Sequence, residues 1–454
     1  MINIKTDSRK VKKGDIFAAI KCEVNDGHKY IDAAIKNGAS KIICEHGKYN
    51  IPYTIVDNSR LYLENYLKEN YNKYLEEMTI IGITGTNGKT TTAYLIYDML
   101  NKLGIKCGYI GTVGYYLNGK VSDLPNTNPD ICEMYDMLIN AYDNDYKVVV
   151  IEASSQGLDF GRLNNIPFSY ACFTNLTQDH LDYHKTMENY AKAKQLLFKK
   201  LKKNGKSILN YDDAYNKYFI TDNTIYYGFN GGDYHVIDYK MTNKSVFTYI
   251  HDNKEYKVTS PLIGKYNIYN LLLAIVVLEQ MNIDIKDIIK VSETISCPPG
   301  RMDIIKYKTN NIIIDYAHTP DAISKIIETV KEVAKGKIYV VFGCTGSRDR
   351  VKRPIMTEIV LKNTTLGIIT IDDLHDEEAE DIVSDMLKDN KRDNYIVCLD
   401  RKEAIKKGID LLKENDFLLI LGKGHEEAII VKDKKIPFND HKVVEEILKK
   451  VEVR

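Results

Sequence analysis

Residues 82–92 read Gly-Ile-Thr-Gly-Thr-Asn-Gly-Lys-Thr-Thr-Thr, a glycine-rich turn that ends in a lysine and three hydroxyls. When a helix follows directly, the backbone N–H groups of such a turn and the positive end of the helix can hold phosphate oxygens. Lys89 would then reach the terminal phosphates, and the Thr90 hydroxyl would hold a magnesium ion. The spacing departs from the usual loop, with glycines at 82, 85 and 88 and Ile83 five residues before Gly88. The chain is expected to spend a nucleoside triphosphate.

Other groups have chemical potential of their own. Glu152 ends the apolar run Val148–Ile151, in Glu-Ala-Ser-Ser-Gln-Gly. A carboxylate at the end of a strand beside a phosphate loop is a natural ligand for nucleotide-bound magnesium. Residues 174–184, Thr-Asn-Leu-Thr-Gln-Asp-His-Leu-Asp-Tyr-His, gather two histidines and two aspartates that could ligate metal or move protons. They fit no familiar zinc spacing, and on composition alone a surface loop is the blander reading. Lys192 and Lys194 lie among Ala191, Ala193, Leu196 and Leu197, in a helical pattern where most lysines are solvated. A lysine close to two magnesium ions would differ. Its neutral amine is favoured there, and only a neutral amine takes up carbon dioxide. Asp315–Pro320, Gly343–Arg350 with Lys352-Arg353-Pro354, and Gly422–Glu426 each follow an apolar run. Glycine turns with cations after parallel strands suit phosphates or carboxylates, and ordinary loop chemistry is the competing account.

These residues need elements to hold them. Met78–Ile81 reads as a buried strand, and Ala93, Tyr94, Leu95, Ile96, Met99 and Leu100 recur at helical spacing. Lys147–Ile151 is a β-branched run suited to a sheet covered on both faces. Cys297-Pro298-Pro299-Gly300 is a strong breaker. Beyond it Ile312–Ile314, Ile338–Phe342, Leu366–Thr370 and Phe417–Leu421 alternate with helical stretches, which implies a mostly parallel α/β sheet with ligands at its carboxyl edge. The expected fold is α/β in three domains, 1–77, 78–296 and 297–454, since 454 residues exceed one core.

Formal net charge is zero, with 63 basic and 63 acidic residues, which argues against a nucleic-acid sleeve or a polybasic membrane patch. Clusters such as Lys199–Lys203 read as solvated helix faces or chain ends. Eight scattered cysteines without a C-x-x-C pair read as reduced thiols of a cytoplasmic protein. No run reaches transmembrane length, and residues 1–20 lack a signal-type apolar core. No membrane insertion is expected, and a monomer is the default.

Together the motifs resemble the Mur ligases, ATP-dependent amide ligases of bacterial peptidoglycan synthesis, and within them the branch that adds the third residue of the peptide stem. The resemblance runs from Asp7-Ser8-Arg9 and Asp26-Gly27-His28 through Gly85–Thr90, Asn126-Thr127, Glu152–Ser155 and Thr174–His184. It continues to Gly300-Arg301-Met302, Asp315–Asp321, Lys352-Arg353-Pro354 and Gly422–Glu426. It implies that Gly85, Thr86, Asn87, Gly88, Lys89, Thr90 and Thr91 hold ATP, with Asn267, Asn270, Arg301 and Asp315 completing the nucleotide site. It implies that Thr90, Glu152, His180 and a carbamylated Lys194 serve Mg²⁺, so that Lys89, Glu152, His180 and Lys194 carry the reaction. Ser8, Asn126, Thr127, Ser154 and Arg162 match the site for UDP-N-acetylmuramoyl dipeptide. Arg353, Asp372, Asp373, His375, Gly422 and Glu426 fall at the site for the free amino acid. The implied reaction phosphorylates the D-glutamate side-chain carboxylate and then lets the amine of the amino acid attack, with domains closing before chemistry.

The chain departs from the family where it carries Asp372-Asp373-Leu374-His375 in place of Asp-Asn-Pro-Arg. The arginine of that motif holds the distal carboxylate of meso-diaminopimelate. A histidine is shorter and mostly neutral near pH 7, and Asp373 adds negative charge. Lysine, ornithine or another diamino acid is therefore the expected third residue. Gln156, Asn128 and Cys22 also replace common family residues. Two other readings compete. One is a paralogous ligase with a different carboxylate acceptor. The other is a nucleotide-binding regulator, against which the joint presence of Lys89, Glu152, His180 and Lys194 argues.

Overall fold

The computed structural model describes residues 2–21, 26–242 and 244–452; Cys22 lies outside them. Three main sheets follow one another along the chain. The first is wholly parallel, its strands Ile4–Lys5, Ile16–Ala18, Lys41–Cys44 and Tyr53–Ile55 adjacent in chain order.

The second sheet has eleven strands. Its middle is parallel: Thr79–Thr84 lies between Val148–Glu152 and Phe168–Phe173, with Cys107–Gly111 and Leu201–Asn210 outside them. Each edge of that sheet is antiparallel. One is the meander from Cys107–Gly111 through Gly114–Leu117 to Gly119–Ser122, and the other runs through Tyr234–Met241, Ser245–His251 and Lys254–Ser260. Leu201–Asn210 is a strand where the lysine-rich run suggested a helix face. The preceding helix ends at Phe198, and the Lys202 ammonium donates to the carbonyls of Glu76 and Met78 at 2.7 Å each.

The helix Lys89–Lys102 covers one face of this sheet together with Lys265–Gln280, which is apolar nearly throughout, and their side chains share a core with Ile81, Ile83, Val150 and Cys172. Ile80, Val149, Ile151, Phe173 and Leu197 fill the opposite face. Each such side chain, once fully buried, contributes roughly 1.5–3 kcal/mol.

The third sheet runs Asp303–Tyr307, Asn310–Asp315, Phe417–Leu421, Ile338–Phe342, Leu366–Ile369 and Tyr395–Val397 in space. All pairs but the first are parallel. Strands Ile338–Phe342 and Phe417–Leu421 are buried at every residue, as a parallel sheet covered on both faces requires. A separate hairpin, Ala428–Val431 with Lys434–Pro437, stands beside its carboxyl edge. The described cysteines are all free, and no helix among the described residues is long and apolar enough to cross a membrane.

Candidate active site

Because the three central strands of the second sheet are parallel and adjacent, Thr84, Glu152 and Phe173 end at the same edge of the sheet. The glycine turn leaves Thr84 there and enters the helix Lys89–Lys102 at Gly88, whose φ is +85° and which provides no side-chain cap. The first N–H groups of that helix are thus left for a ligand. Two glycines are compelled by their surroundings. A Cβ on Gly85 (φ +148°) would lie 1.9 Å from Thr174 Oγ1, and one on Gly88 would lie 2.4 Å from Asn270 Oδ1.

Residues 174–177 brace the loop. Asn175 O accepts from Thr86 N at 2.7 Å and Asn175 Oδ1 accepts from Asn87 N at 3.0 Å. Thr174 Oγ1 donates to Asn87 O at 2.6 Å, and Thr86 Oγ1 donates to Thr177 O at 3.1 Å. This part of the 174–184 segment is a scaffold for the phosphate loop. The composition of the segment points to metal ligation, proton transfer or a surface loop, and does not reveal this bracing role.

Lys89 folds back on its own loop, donating to Gly85 O at 3.0 Å and Thr86 O at 2.7 Å. Lys194, 1% exposed, donates to the same Gly85 O at 2.7 Å, with its ammonium 4.4 Å from the centre of the Tyr190 ring. Neither lysine forms an ion pair among the described residues. Burial, and then the neighbouring Lys89, hold the Lys194 amine well below the ordinary lysine range, and burial lowers Lys89 as well. The helix Met187–Phe198 places Lys194 on its inner face with Tyr190, Ala191, Ala193 and Leu197. The solvated reading holds instead for Lys192, which pairs with Glu188 at the surface.

Glu152 is fully buried and saturated with donors. Thr112 N reaches Oε1 at 2.8 Å, Thr90 Oγ1 reaches Oε2 at 2.8 Å, Thr112 Oγ1 reaches Oε2 at 3.1 Å, and the Tyr109 hydroxyl also donates to Oε1. Thr90 and His180 line one cavity of about 210 Å³ together with Lys89, Lys194, Thr112, Thr127, Ser154, Arg301 and His318. His180 sits in a left-handed conformation (φ +53°) with its Nε2 3.5 Å from Asp179. The adjacent oxygens of Thr90 and Glu152 are donors of the type that suits Mg²⁺, and the His180 ring faces the same cavity as Thr90.

A second cavity of about 450 Å³ lies on the other side of the loop. Asn87, Gly88, Thr91, Asn270, Arg301 and Asp315 line it, with the Tyr266 and Tyr269 rings. Asn267 is buried behind it, donating to Ile263 O at 2.8 Å. Asp315 accepts from Met302 N and Ala317 N at 2.8 Å each, while Arg301 stacks on Tyr316 with its buried Nε unpartnered. Asn87 Nδ2 donates to Asp321 Oδ2 at 2.7 Å, tying the phosphate loop to the helix Pro320–Val333.

Toward the first sheet, Thr127 and Ser154 face the smaller cavity, and Asn126 is exposed. Arg162 donates to Asn128 O at 2.8 Å. Ser8 is buried in the short turn Ser8–Lys10, and its carbonyl accepts from Asn37. Asn128 uses its whole amide internally: Nδ2 donates to Glu152 O at 2.6 Å, and Oδ1 accepts from Ser154 N and Oγ at 3.0 and 2.8 Å.

The residues expected at the amino-acid site divide into two groups. Asp372, Asp373 and Glu426 gather around fully buried Lys423, which donates to Asp373 at 2.8 Å and Glu426 at 2.7 Å and lies 3.5 Å from Asp372. Burial opposes the charge on Lys423, yet Asp372, Glu426 and Asp373 outweigh it and push the lysine up to about 12. Burial raises Glu426. The negative charge that Asp373 adds where the family carries an amide is met within the fold, since Lys423 and Ile430 N (2.8 Å) occupy its Oδ1. Lys423, the cation of the glycine turn expected to meet an outside phosphate or carboxylate, instead serves three carboxylates of the same edge.

Gly422 (φ +113°) brings the chain so close to Asp372 that a Cβ would lie 2.5 Å from Oδ2. Arg353 is also corrected. It is fully buried and paired with Glu377 at 2.8 and 2.9 Å and with Asp385 at 2.8 Å, so it braces the loop from within and has no free fork for substrate. His375 (φ +49°) is held through its backbone, its N donating to Ile430 O at 3.2 Å and its carbonyl accepting from Lys432 N at 2.7 Å.

Residues 2–88 match the Mur ligase family catalytic domain, residues 83–278 the Mur ligase middle domain, and residues 300–424 the Mur ligase glutamate ligase domain. A protein of Clostridium botulinum named UDP-N-acetylmuramoyl-L-alanyl-D-glutamate--2,6-diaminopimelate ligase is 39% identical over 462 residues, 99% of this chain and 95% of that protein. One of the same name from Aquifex aeolicus is 40% identical over 451 residues, covering 98% and 93%. A solved structure of a ligase of that name superposes with a TM-score of 0.69 at 30% identity, over 99% of this chain and 95% of that one. The MurF ligase of Thermotoga maritima in complex with ADP shares the fold, with a TM-score of 0.71 at 23% identity over 100% and 98%. The three-sheet α/β architecture and the end-to-end match agree, and the chain belongs to the Mur ligase family.

Proposed function

We propose that this chain is the ATP-dependent ligase that joins a diamino acid to the D-glutamate side-chain carboxylate of UDP-N-acetylmuramoyl-L-alanyl-D-glutamate, forming the third position of the peptidoglycan stem in the cytoplasm. The observation that carries the reading is the pair Lys89 and Lys194, two amines that share Gly85 O and have no carboxylate partner among the described residues. Lys89, folded back on the loop carbonyls, is placed to meet an anion from outside, and the open helix end that it begins supplies further donors for phosphate.

In this reading the residues divide the work as follows. Gly85–Thr91 cradle the phosphates of ATP, and the tyrosine-lined cavity with Asn270, Arg301 and Asp315 takes the nucleoside. Thr90, Glu152 and His180 would hold Mg²⁺, which when bound offsets charge on the reacting oxygens. Lys194, with its amine kept low by burial, is the group suited to carbamylation and to the second ion. Ser8, Asn126, Thr127, Ser154 and Arg162 would orient the UDP-sugar dipeptide. Its carboxylate takes the γ-phosphoryl group and ADP leaves; the amine of the amino acid then attacks the acyl carbon and phosphate leaves. The three units are proposed to divide at residues 77–78 and 296–297. Asn128 differs from the family inwardly, so it gives no support to a different acceptor.

Charge around the third-residue pocket favours a cationic side chain. Asp372, Asp373 and Glu426 face one ammonium, Lys423, while Arg353 and Arg401 are consumed by Glu377, Asp385 and Asp440. Arg353 and Arg401, the two buried guanidinium groups beside the pocket, are thus not free to hold a distal carboxylate. The test is phosphate release from ATP with the UDP-sugar dipeptide and one amino acid at a time. Release with lysine or ornithine at low concentration, well above that with meso-diaminopimelate, is expected. Preference for meso-diaminopimelate would overturn the charge argument alone, and no release with any amino acid would overturn the ligase reading.

A further inference from the structure

We propose that Thr112 is a positioning residue that couples occupancy of the acceptor site to metal binding at Glu152 and Thr90. The inference rests on the acceptor reading above, and it concerns a residue that no motif considered so far includes.

Thr112 stands in the tight turn between the antiparallel strands Cys107–Gly111 and Gly114–Leu117. Its backbone N–H fixes Glu152 Oε1 at 2.8 Å. Its hydroxyl lies 3.1 Å from Glu152 Oε2 and 3.1 Å from Thr127 Oγ1. A hydroxyl has one hydrogen, and an ionised carboxylate only accepts. The Thr112 hydrogen therefore goes to Glu152, and the Thr127 hydroxyl donates to Thr112. This gives a directed relay from Thr127 through Thr112 to Glu152, whose Oε2 also holds Thr90 Oγ1 at 2.8 Å.

The carboxylate has little freedom to move otherwise. The Tyr109 hydroxyl closes Oε1, and a Cβ on Gly111 would lie 2.3 Å from that oxygen. Changes at Thr112 are thus transmitted to the oxygen that Thr90 shares. A ligand that donates to Thr127 leaves the Thr127 hydrogen on Thr112 and fixes its rotamer, and hydrogen bonds in such a chain polarise one another. Partners that aim a metal ligand in this way commonly matter 10–100-fold in affinity. Coupling between two sites is reciprocal, so metal must tighten the acceptor by the same factor.

The test titrates the full-length protein with Mn²⁺ alone, followed by electron paramagnetic resonance, with and without UDP-N-acetylmuramoyl-L-alanyl-D-glutamate. Acceptor affinity is measured calorimetrically in the same buffers. In the unaltered protein the acceptor should lower the Mn²⁺ Kd by about 5–10-fold. Thr112→Val keeps the backbone bond and removes the relay. It should raise the Mn²⁺ Kd without acceptor about 10-fold and bring the ratio with and without acceptor close to 1. Thr112→Ser should restore the ratio, and Thr112→Ala repeats the deletion should valine fail to fold. Acceptor binding with a ratio near 1 in the unaltered protein, or an undiminished ratio in Thr112→Val and Thr112→Ala, overturns the coupling alone. Failure of the acceptor to bind the unaltered protein overturns the acceptor reading and the coupling with it.

Discussion

At the scale of single residues, the site is built from polar groups that the fold keeps in the protonation state it needs. His184 is an example outside the reacting atoms. It is 6% exposed, stacks on Tyr190 with ring centres 5.0 Å apart, and shares a hydrogen bond of 3.0 Å with Ser155 Oγ. Burial, and then Lys194, push its pKa down to about 4. The unfolded chain holds this histidine near 6.5, so between pH 6.5 and 4 the unfolded state binds the extra proton. Stability must fall as pH drops through that window, by up to about 3 kcal/mol from this group. Replacing His184 with Gln should flatten that part of the curve, measured as Tm against pH from 7 down to 4. An unchanged slope would show that His184 is not the group titrating there.

At the scale of elements, the helix Lys352–Asn363 is anchored by Arg353, whose fork grips Glu377 and Asp385. Its sequence position, after a glycine loop and before a proline, suggested a hand for substrate. Only the partners, 24 and 32 residues away, reveal a brace. Arg353→Ala leaves Glu377 without its cation and Asp385 with Arg350 alone, and the loss of charged hydrogen bonds from a fully buried guanidinium costs about 1.5–3 kcal/mol. A drop in the unfolding midpoint that accompanies lost activity is expected. Arg353→Lys should recover little, because an ammonium cannot make the bidentate contact. Activity lost at full stability would return Arg353 to the substrate.

Legibility followed the same line. Ile338–Phe342 and Phe417–Leu421 were readable because strands buried on both faces show as unbroken apolar runs. The antiparallel edges were not: Tyr234–Met241 and Gly119–Ser122 are largely exposed, carry charged residues and leave no periodic signal. The phosphate loop was legible because its glycines answer local backbone needs. Thr112, Asn175 and Lys423 were not, since each owes its role to partners distant in sequence.

At the scale of the whole molecule, the three units meet around one loop. The phosphate loop leaves the second sheet, Arg301, Tyr316 and His318 reach its cavity from the third, and Lys5 and Lys10 tie the first to Asp136 and Glu133 of the second. An active site assembled from separate units works only while they are closed on one another, and the contacts that hold them closed are therefore part of its function. Between the second and third units, one such contact is direct: Asn87 Nδ2 donates to Asp321 Oδ2, and Lys325 shares the same oxygen at 2.8 Å. Asp321 lies in the first turn of the helix Pro320–Val333, so its carboxylate also interacts favourably with that helix end. Asp321→Ala removes the tie without touching the phosphates or the amino-acid pocket. The closed state should become less populated, and apparent ATP affinity should weaken by that fraction, because a ligand that needs closure bears its cost. An increase of about 5–10-fold in KM for ATP is expected from loss of one charge-assisted hydrogen bond. Small-angle scattering with a non-hydrolysable ATP analogue should give a larger radius for Asp321→Ala than for the unaltered protein. An unchanged radius and KM would show that this contact does not hold the closed state.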